Sequence, residues 1–149
     1  VSHYNGSTWT KYSYLNSELP DSPTGIIRSD KKGNIWIGTA GSGINIFNPR
    51  TGSFSKFHLN ESIEYTDVYC ILKDQKDNMW FSSNQGVYAY YHASQKLKNF
   101  TKEDGLLGKQ YHPNSGFISK KGTLYFGGGD GFNCIDPEVV QPNTNHQAP

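Results

Sequence analysis

The chain has 149 residues, of which 34% are hydrophobic and 18% charged, and its formal net charge is +1. That length suits one domain with a buried core. The near-zero charge removes the electrostatic case for nucleic acid or anionic membrane as a partner, and no apolar run approaches the ~20 residues of a membrane helix.

Gly, Tyr, Phe and Trp recur at short intervals, which suits short strands and tight turns and suits long helices badly. The first residues, Val1 to Gly6, lack the basic start and apolar run of a signal peptide, and the repeat markers further along lead to the expectation that the chain begins inside a repeat. Trp9-Thr10-Lys11-Tyr12 then alternates large apolar and polar residues, as a half-exposed strand does. A short apolar run, Ile26-Ile27-Arg28, leads into the turn Asp30 to Asn34 and a second apolar run around Trp36. Gly43 opens a third run, Ile44 to Phe47, and Phe54-Ser55-Lys56-Phe57 alternates again.

The same order returns twice. Cys70-Ile71-Leu72 precedes the turn Asp74 to Asn78, Trp80, Gly86 and then Leu97-Lys98-Asn99-Phe100. Gly116-Phe117-Ile118 precedes the turn Lys120 to Thr123, Tyr125 and Gly131. Trp36, Trp80 and Tyr125 stand 44 and 45 residues apart, and Gly43, Gly86 and Gly131 stand 43 and 45 apart. Two markers in step over three copies define a repeat of four short strands, termed a to d in chain order. The Asp, Asn and Gly of the a-to-b turns cap local backbone and tolerate positive φ. The aromatic residue of strand b is expected to fill the wedge between neighbouring units, and the glycine to let the chain reverse tightly beside it. Units of this period imply an all-β chain: a β-propeller fragment of about three four-stranded antiparallel blades.

The boundaries follow from the markers. Residues 1–16 are a remnant of strands c and d of a preceding blade, and 17–60 and 61–103 are blades. Residues 104–136 hold strands a to c of a last blade, and 137–149 form a polar tail. Closed propellers use 4–8 blades, so this count leaves an incomplete ring unless another chain completes it. An unpaired edge seeks a partner. Either the chain is a fragment of a longer propeller with missing neighbouring blades, or copies self-associate, the N-terminal strand of one completing the C-terminal blade of the same or another copy.

Strand parity sorts the connections onto two faces. The d-to-a and b-to-c connections share one face, which carries the longer segments Asn16 to Pro23, Asn60 to Tyr65 and Glu103 to Pro113. Loops of that kind concentrate function. Candidate ligand-binding residues there are Tyr65, Lys109, Tyr111 and His112, with Asn84, Gln85 and Asp130 from the b-to-c turns. Aromatic rings beside amides and hydroxyls suit a sugar, though the same residues also suit plain turns or a neighbouring blade.

Other chemistry is not supported. Gly127-Gly128-Gly129-Asp130-Gly131 lacks the Lys-Ser/Thr and the helix of a phosphate loop. His3, His58, His92, His112 and His146 show no metal-ligand spacing, and no catalytic residue, metal ligand or cofactor motif is assigned. Cys70 and Cys134 sit in apolar runs and read as two buried free thiols.

The stretch Gly33-Asn34-Ile35-Trp36-Ile37-Gly38-Thr39 with Gly43, then Asn48-Pro49-Arg50-Thr51-Gly52-Ser53-Phe54, resembles the two-component regulator propeller repeat. Asp104-Gly105-Leu106, Gly122 to Phe132 and the close on Asp136-Pro137 resemble that family's last repeats. Ser82-Ser83, Asp77 and Tyr125 depart from the usual Gly-Thr, Gly and Trp. The resemblance implies part of the extracytoplasmic, periplasmic sensor region of a bacterial hybrid sensor histidine kinase. It implies a non-catalytic module that senses oligosaccharides and is followed by an immunoglobulin-like domain, a membrane helix and a kinase. A dimerisation scaffold and a propeller polysaccharide lyase or hydrolase are the alternatives.

Overall fold

The computed structural model describes residues 1–22, 24–58 and 63–140. A hairpin of β1 (Ser2–Tyr4) and β2 (Trp9–Lys11) comes first. Two four-stranded antiparallel sheets follow in chain order: β3 (Thr24–Ser29), β4 (Ile35–Thr39), β5 (Ile44–Asn48) and β6 (Ser53–Lys56), then β7 (Val68–Lys73), β8 (Met79–Ser83), β9 (Gly86–Tyr91) and β10 (Lys96–Phe100). A three-stranded sheet of β11 (Tyr111–Ile118), β12 (Leu124–Gly128) and β13 (Gly131–Ile135) ends the described chain. The first strands of successive sheets, β3, β7 and β11, lie side by side, and each carries a register shift in its first half. This is the all-β, blade-by-blade arrangement that the repeat implies.

The a-to-b turn owes its residues to one carboxylate. Asp30 accepts hydrogen bonds from the Asn34 backbone N–H (2.9 Å), the Asn34 amide (3.0 Å) and Trp36 Nε1–H (3.2 Å). Asp74 does the same for Asn78 (2.8 and 2.9 Å) and Trp80 (2.9 Å). The spacing Asp-x-x-x-Asn-x-Trp therefore closes the turn and orients the indole in one step. In the third sheet Ser119 stands where Asp would, and its Oγ accepts only from the Thr123 N–H (3.1 Å). Tyr125 brings no indole N–H, so both ends of the bond are changed together.

Packing between sheets is what the aromatic markers serve. Trp36 (1% exposed) joins Phe57, Ile44, Met79, Phe81 and Tyr90 between the first and second four-stranded sheets. Trp80 (0% exposed) joins Phe100, Leu124, Phe126 and Ile135 between the second and third. Its ring stacks on Phe100 at 5.7 Å. A third cluster, Leu19, Ile37, Phe47 and Phe54 with Tyr12, seats the N-terminal hairpin. Burial of each large side chain contributes about 1.5–3 kcal/mol. Polar stitches cross the same seams: Arg28 Nε donates to the Ile71 carbonyl (3.0 Å), and the Lys31 N–H to Asp77 Oδ1 (3.0 Å).

Several expectations change. Strands β4 and β8 are covered on both faces, but β12 is covered on one, and Tyr125 is only half-buried beside exposed Phe117 and Phe132. These three rings lie on the side where Trp36 and Trp80 meet a following sheet, and no following sheet is present among the described residues. Cys70 is buried, and burial pushes its thiol up to about 11 against the pull of the Arg28 charge; Cys134 is exposed. Both thiols are free. The repeat glycines answer to backbone rather than to the aromatic. At Gly43 (φ 64°) and Gly86 (φ 130°) a Cβ would overlap the carbonyl oxygens of Ile63 and Phe100. Among the described residues β2 pairs with β1 and not with β13.

Candidate functional site

The face made by the d-to-a and b-to-c connections is assembled by backbone bonds between them. Gly43 N–H donates to the Thr66 carbonyl (3.0 Å), Asn84 N–H to Asp67 (3.3 Å) and Gly129 N–H to Gln110 (2.8 Å). Each b-to-c turn is thus held against a connection that enters strand a, and polar side chains gather where β7 begins.

At that point the Asn84 amide donates to Asp67 Oδ2 at 3.4 Å. Tyr69, half-buried on β7, completes the group: burial first, and then the Asp67 charge and its hydrogen bond, hold the Tyr69 hydroxyl above its ordinary value. Asp67, Tyr69 and Asn84 therefore form a polar cluster with an aromatic ring. Neither Asp67 nor Tyr69 is distinguished by its sequence alone, because the contact depends on a turn 17 residues away.

The sequence-predicted residues divide. Asn84, Lys109, His112 and Asp130 are exposed. Tyr65 is 77% exposed and carries Lys56 Nζ over its ring at 5.4 Å. Lys56 lies 3.8 Å from Glu64, whose other oxygen meets His58 Nδ1 at 2.6 Å, so Tyr65 belongs to a second cluster on the outer rim. Gln85 is half-buried and accepts from the Tyr88 hydroxyl (2.8 Å). Tyr111 is not a surface ring. It begins strand β11, where a loop was expected, and sits in the core with its hydroxyl accepting from Asn133 (3.2 Å). Burial pushes that hydroxyl up to about 12. His112 shares the strand and points out of the core. Segment Asn60 to Tyr65 lies partly outside the described residues. No group of three or more His, Cys, Asp and Glu side chains is arranged to hold a metal among the described residues.

A cavity of about 600 Å³ lies elsewhere, along the outer edge of β13. No helix among the described residues is long and apolar enough to cross a membrane.

Comparison with known proteins fits this geometry. Residues 18–41 and 62–85 match the two component regulator propeller, and each match ends in a b-to-c turn after the Trp-bearing strand. A histidine kinase from Formosa agariphila is 31% identical over 106 residues, which are 70% of this chain and 8% of that protein. The chain thus spans under a tenth of the length of that curated relative. The extracellular domain of a hybrid two component system from B. thetaiotaomicron superposes with a TM-score of 0.65 at 19% identity, over 91% of this chain and 18% of that one. Virginiamycin B lyase from Staphylococcus aureus superposes with a TM-score of 0.59 at 20% identity, over 80% of this chain and 41% of the lyase. Identities this low establish the shared fold.

Proposed function

Because this chain carries two-component regulator propeller repeats, we propose that it is a non-catalytic, ligand-sensing segment of an extracytoplasmic two-component sensor. The observation that carries the reading is the pair of repeat matches, supported by the hybrid two-component extracellular domain of the same fold. Binding on the loop face would shift packing between blades and whatever follows them, and that shift would bias the signal.

The proposed ligand class is an oligosaccharide, and the proposed contact point is Asp67, Tyr69 and Asn84. A carboxylate, an amide and a phenol offer both donors and acceptors to sugar hydroxyls, and the ring offers an apolar face. Lys109, His112 and Asp130 are further exposed polar groups of that loop face. The lyase neighbour shares the fold, and fold does not carry chemistry.

Calorimetric titration with a panel of neutral and uronic-acid oligosaccharides tests the reading. Binding is expected to one class, weakened at least tenfold by Asn84→Ala and by Tyr69→Ala. A folded chain that takes up none of them removes the ligand proposal and favours a scaffold role. Appearance of new reducing ends or unsaturated sugars would replace it with an enzyme.

A further inference from the structure

Two departures from the repeat meet in space at the seam between the two four-stranded sheets. In the a-to-b turns Gly33 (φ 82°), Asp77 (φ 67°) and Gly122 (φ 90°) hold equivalent places, directly before Asn34, Asn78 and Thr123. The second turn thus puts a carboxylate into a left-handed conformation that favours glycine. The third strands supply the other departure. Phe47, Tyr90 and Ile135 are equivalent, since they pair with Ile35, Met79 and Leu124. Two residues further on stand Pro49, His92 and Pro137. The same repeat therefore carries Asp where the others carry Gly, and His where the others carry Pro.

The two side chains face each other. Asp77 is buried, and its Oδ1 accepts from the Lys31 N–H (3.0 Å) in the turn of the first sheet. Its Oδ2 lies 3.9 Å from His92 Nε2, too far for a hydrogen bond. That ring nitrogen is buried and has no hydrogen-bond partner among the described residues. The imidazole is held edge-on to Trp36 (centroids 5.9 Å apart) and to Tyr90 (4.8 Å), and the His92 N–H donates to Asn78 Oδ1 (3.2 Å). The other charged or titratable groups around the pair are accounted for. Lys73 Nζ stands 3.7 Å from Asp77 Oδ1. The carboxylates of Asp30 and Asp74 are taken up by Asn34 with Trp36 and by Asn78 with Trp80. Burial raises the Tyr90 hydroxyl above its ordinary 10.0, so it stays neutral.

We propose that Asp77 and His92 form a proton-operated clamp between the first and second four-stranded sheets. When His92 takes up a proton, both ring nitrogens donate, and closure by about 1 Å makes Nε2–H to Asp77 Oδ2 a charge-assisted hydrogen bond. Without that proton the buried nitrogen keeps no partner. Closure joins two turns, because Asp77 already holds Lys31 beside Asp30, which orients Trp36, and His92 already holds Asn78, which shares Asp74 with Trp80. The unfolded chain lacks the pair, so proton uptake at His92 stabilises the folded state. The contribution is present at low pH and is lost as pH rises through the range in which imidazoles titrate, roughly pH 5–8. The strained place of Asp77 is the cost of aiming a carboxylate across the seam.

A double-mutant cycle of His92→Gln and Asp77→Asn, read by urea unfolding, tests the clamp. Asn keeps an acceptor for the Lys31 N–H and tolerates the left-handed turn, while removing the charge. The unfolding constants should show a coupling of about threefold at about pH 5.5 and none at about pH 8. The exposed His58–Glu64 pair is common to all four proteins and cancels. Coupling of equal size at both pH values would mean a contact indifferent to the proton, and no coupling at the lower pH would mean no contact; either overturns the proposal. A second measurement needs no variant. In the unsubstituted chain the ring protons of His92 and the carboxyl carbon of Asp77 should shift together across that range in NMR spectra. An Asp77 signal that does not move with the His92 ring overturns the clamp as well.

Discussion

The indole N–H of Trp80 donates to the Asp74 carboxylate at 2.9 Å, with both side chains buried. That bond joins the a-to-b turn to the packing between blades, because the same indole stacks on Phe100. Asp74→Ala leaves the indole and the Asn78 groups without their acceptor. Loss of such a buried acceptor costs about 3 kcal/mol. Chemical denaturation of the variant should show it. A change under ~0.5 kcal/mol would mean that water replaces the carboxylate and the turn does not depend on it.

The equivalent pair at Asp30 and Trp36 yields a pH dependence. Burial raises the Asp30 carboxyl, but hydrogen bonds from Asn34, Trp36 and Lys32 outweigh it and hold the group below its ordinary 3.8. A depressed folded pKa contributes stability that is present above the unfolded value and disappears as pH falls through the folded one. Acid unfolding should therefore steepen below about pH 4, and Asp30→Asn should flatten that limb. Identical acid limbs in the two proteins would remove Asp30 from the account.

Trp80 and Tyr125 occupy matching positions in unlike surroundings. Trp80→Ala should cost about 3–5 kcal/mol, as for other large-to-small core changes. Tyr125→Ala should cost less than Trp80→Ala in the single chain, because that side chain is only partly covered. Equal losses would show that the last sheet is covered in solution. The comparison belongs at a concentration where sedimentation reports monomer.

The repeat glycines should separate in the same way. Gly86→Ala brings a Cβ onto the Phe100 carbonyl at φ 130°, whereas at Gly131, φ 117°, the nearest atom is Leu107 Cδ1 at 3.6 Å. Gly131→Ala should carry only the backbone strain of about 1 kcal/mol, and Gly86→Ala roughly twice that or more. Thermal midpoints of the two variants would decide it.

The candidate site is less legible in the sequence than the scaffold, and Tyr111 shows the reason. Its place before a Pro and after Lys109-Gln110 reads as loop, yet a register-shifted extension of β11 carries it into the core. Asn84 is legible as a turn residue and Asp67 is not, and only the staple between turn and strand entry makes them a pair. Cys134 repeats the lesson at the other end: an apolar run predicts burial, but burial needs a neighbour on that side.

Alone, the sequence determined the unit. Asp, Asn, Trp and Gly at fixed offsets encode a turn, an oriented indole and a glycine where backbone crowds, and the first two copies each state these demands for themselves. Tertiary structure decided the relations between units: which face of each strand is covered, which groove beside β13 stays open, and which polar groups share the mouth of β7. Such relations depend on chain segments brought together from far apart, and residue identity carries no record of a neighbour until the blades are stacked.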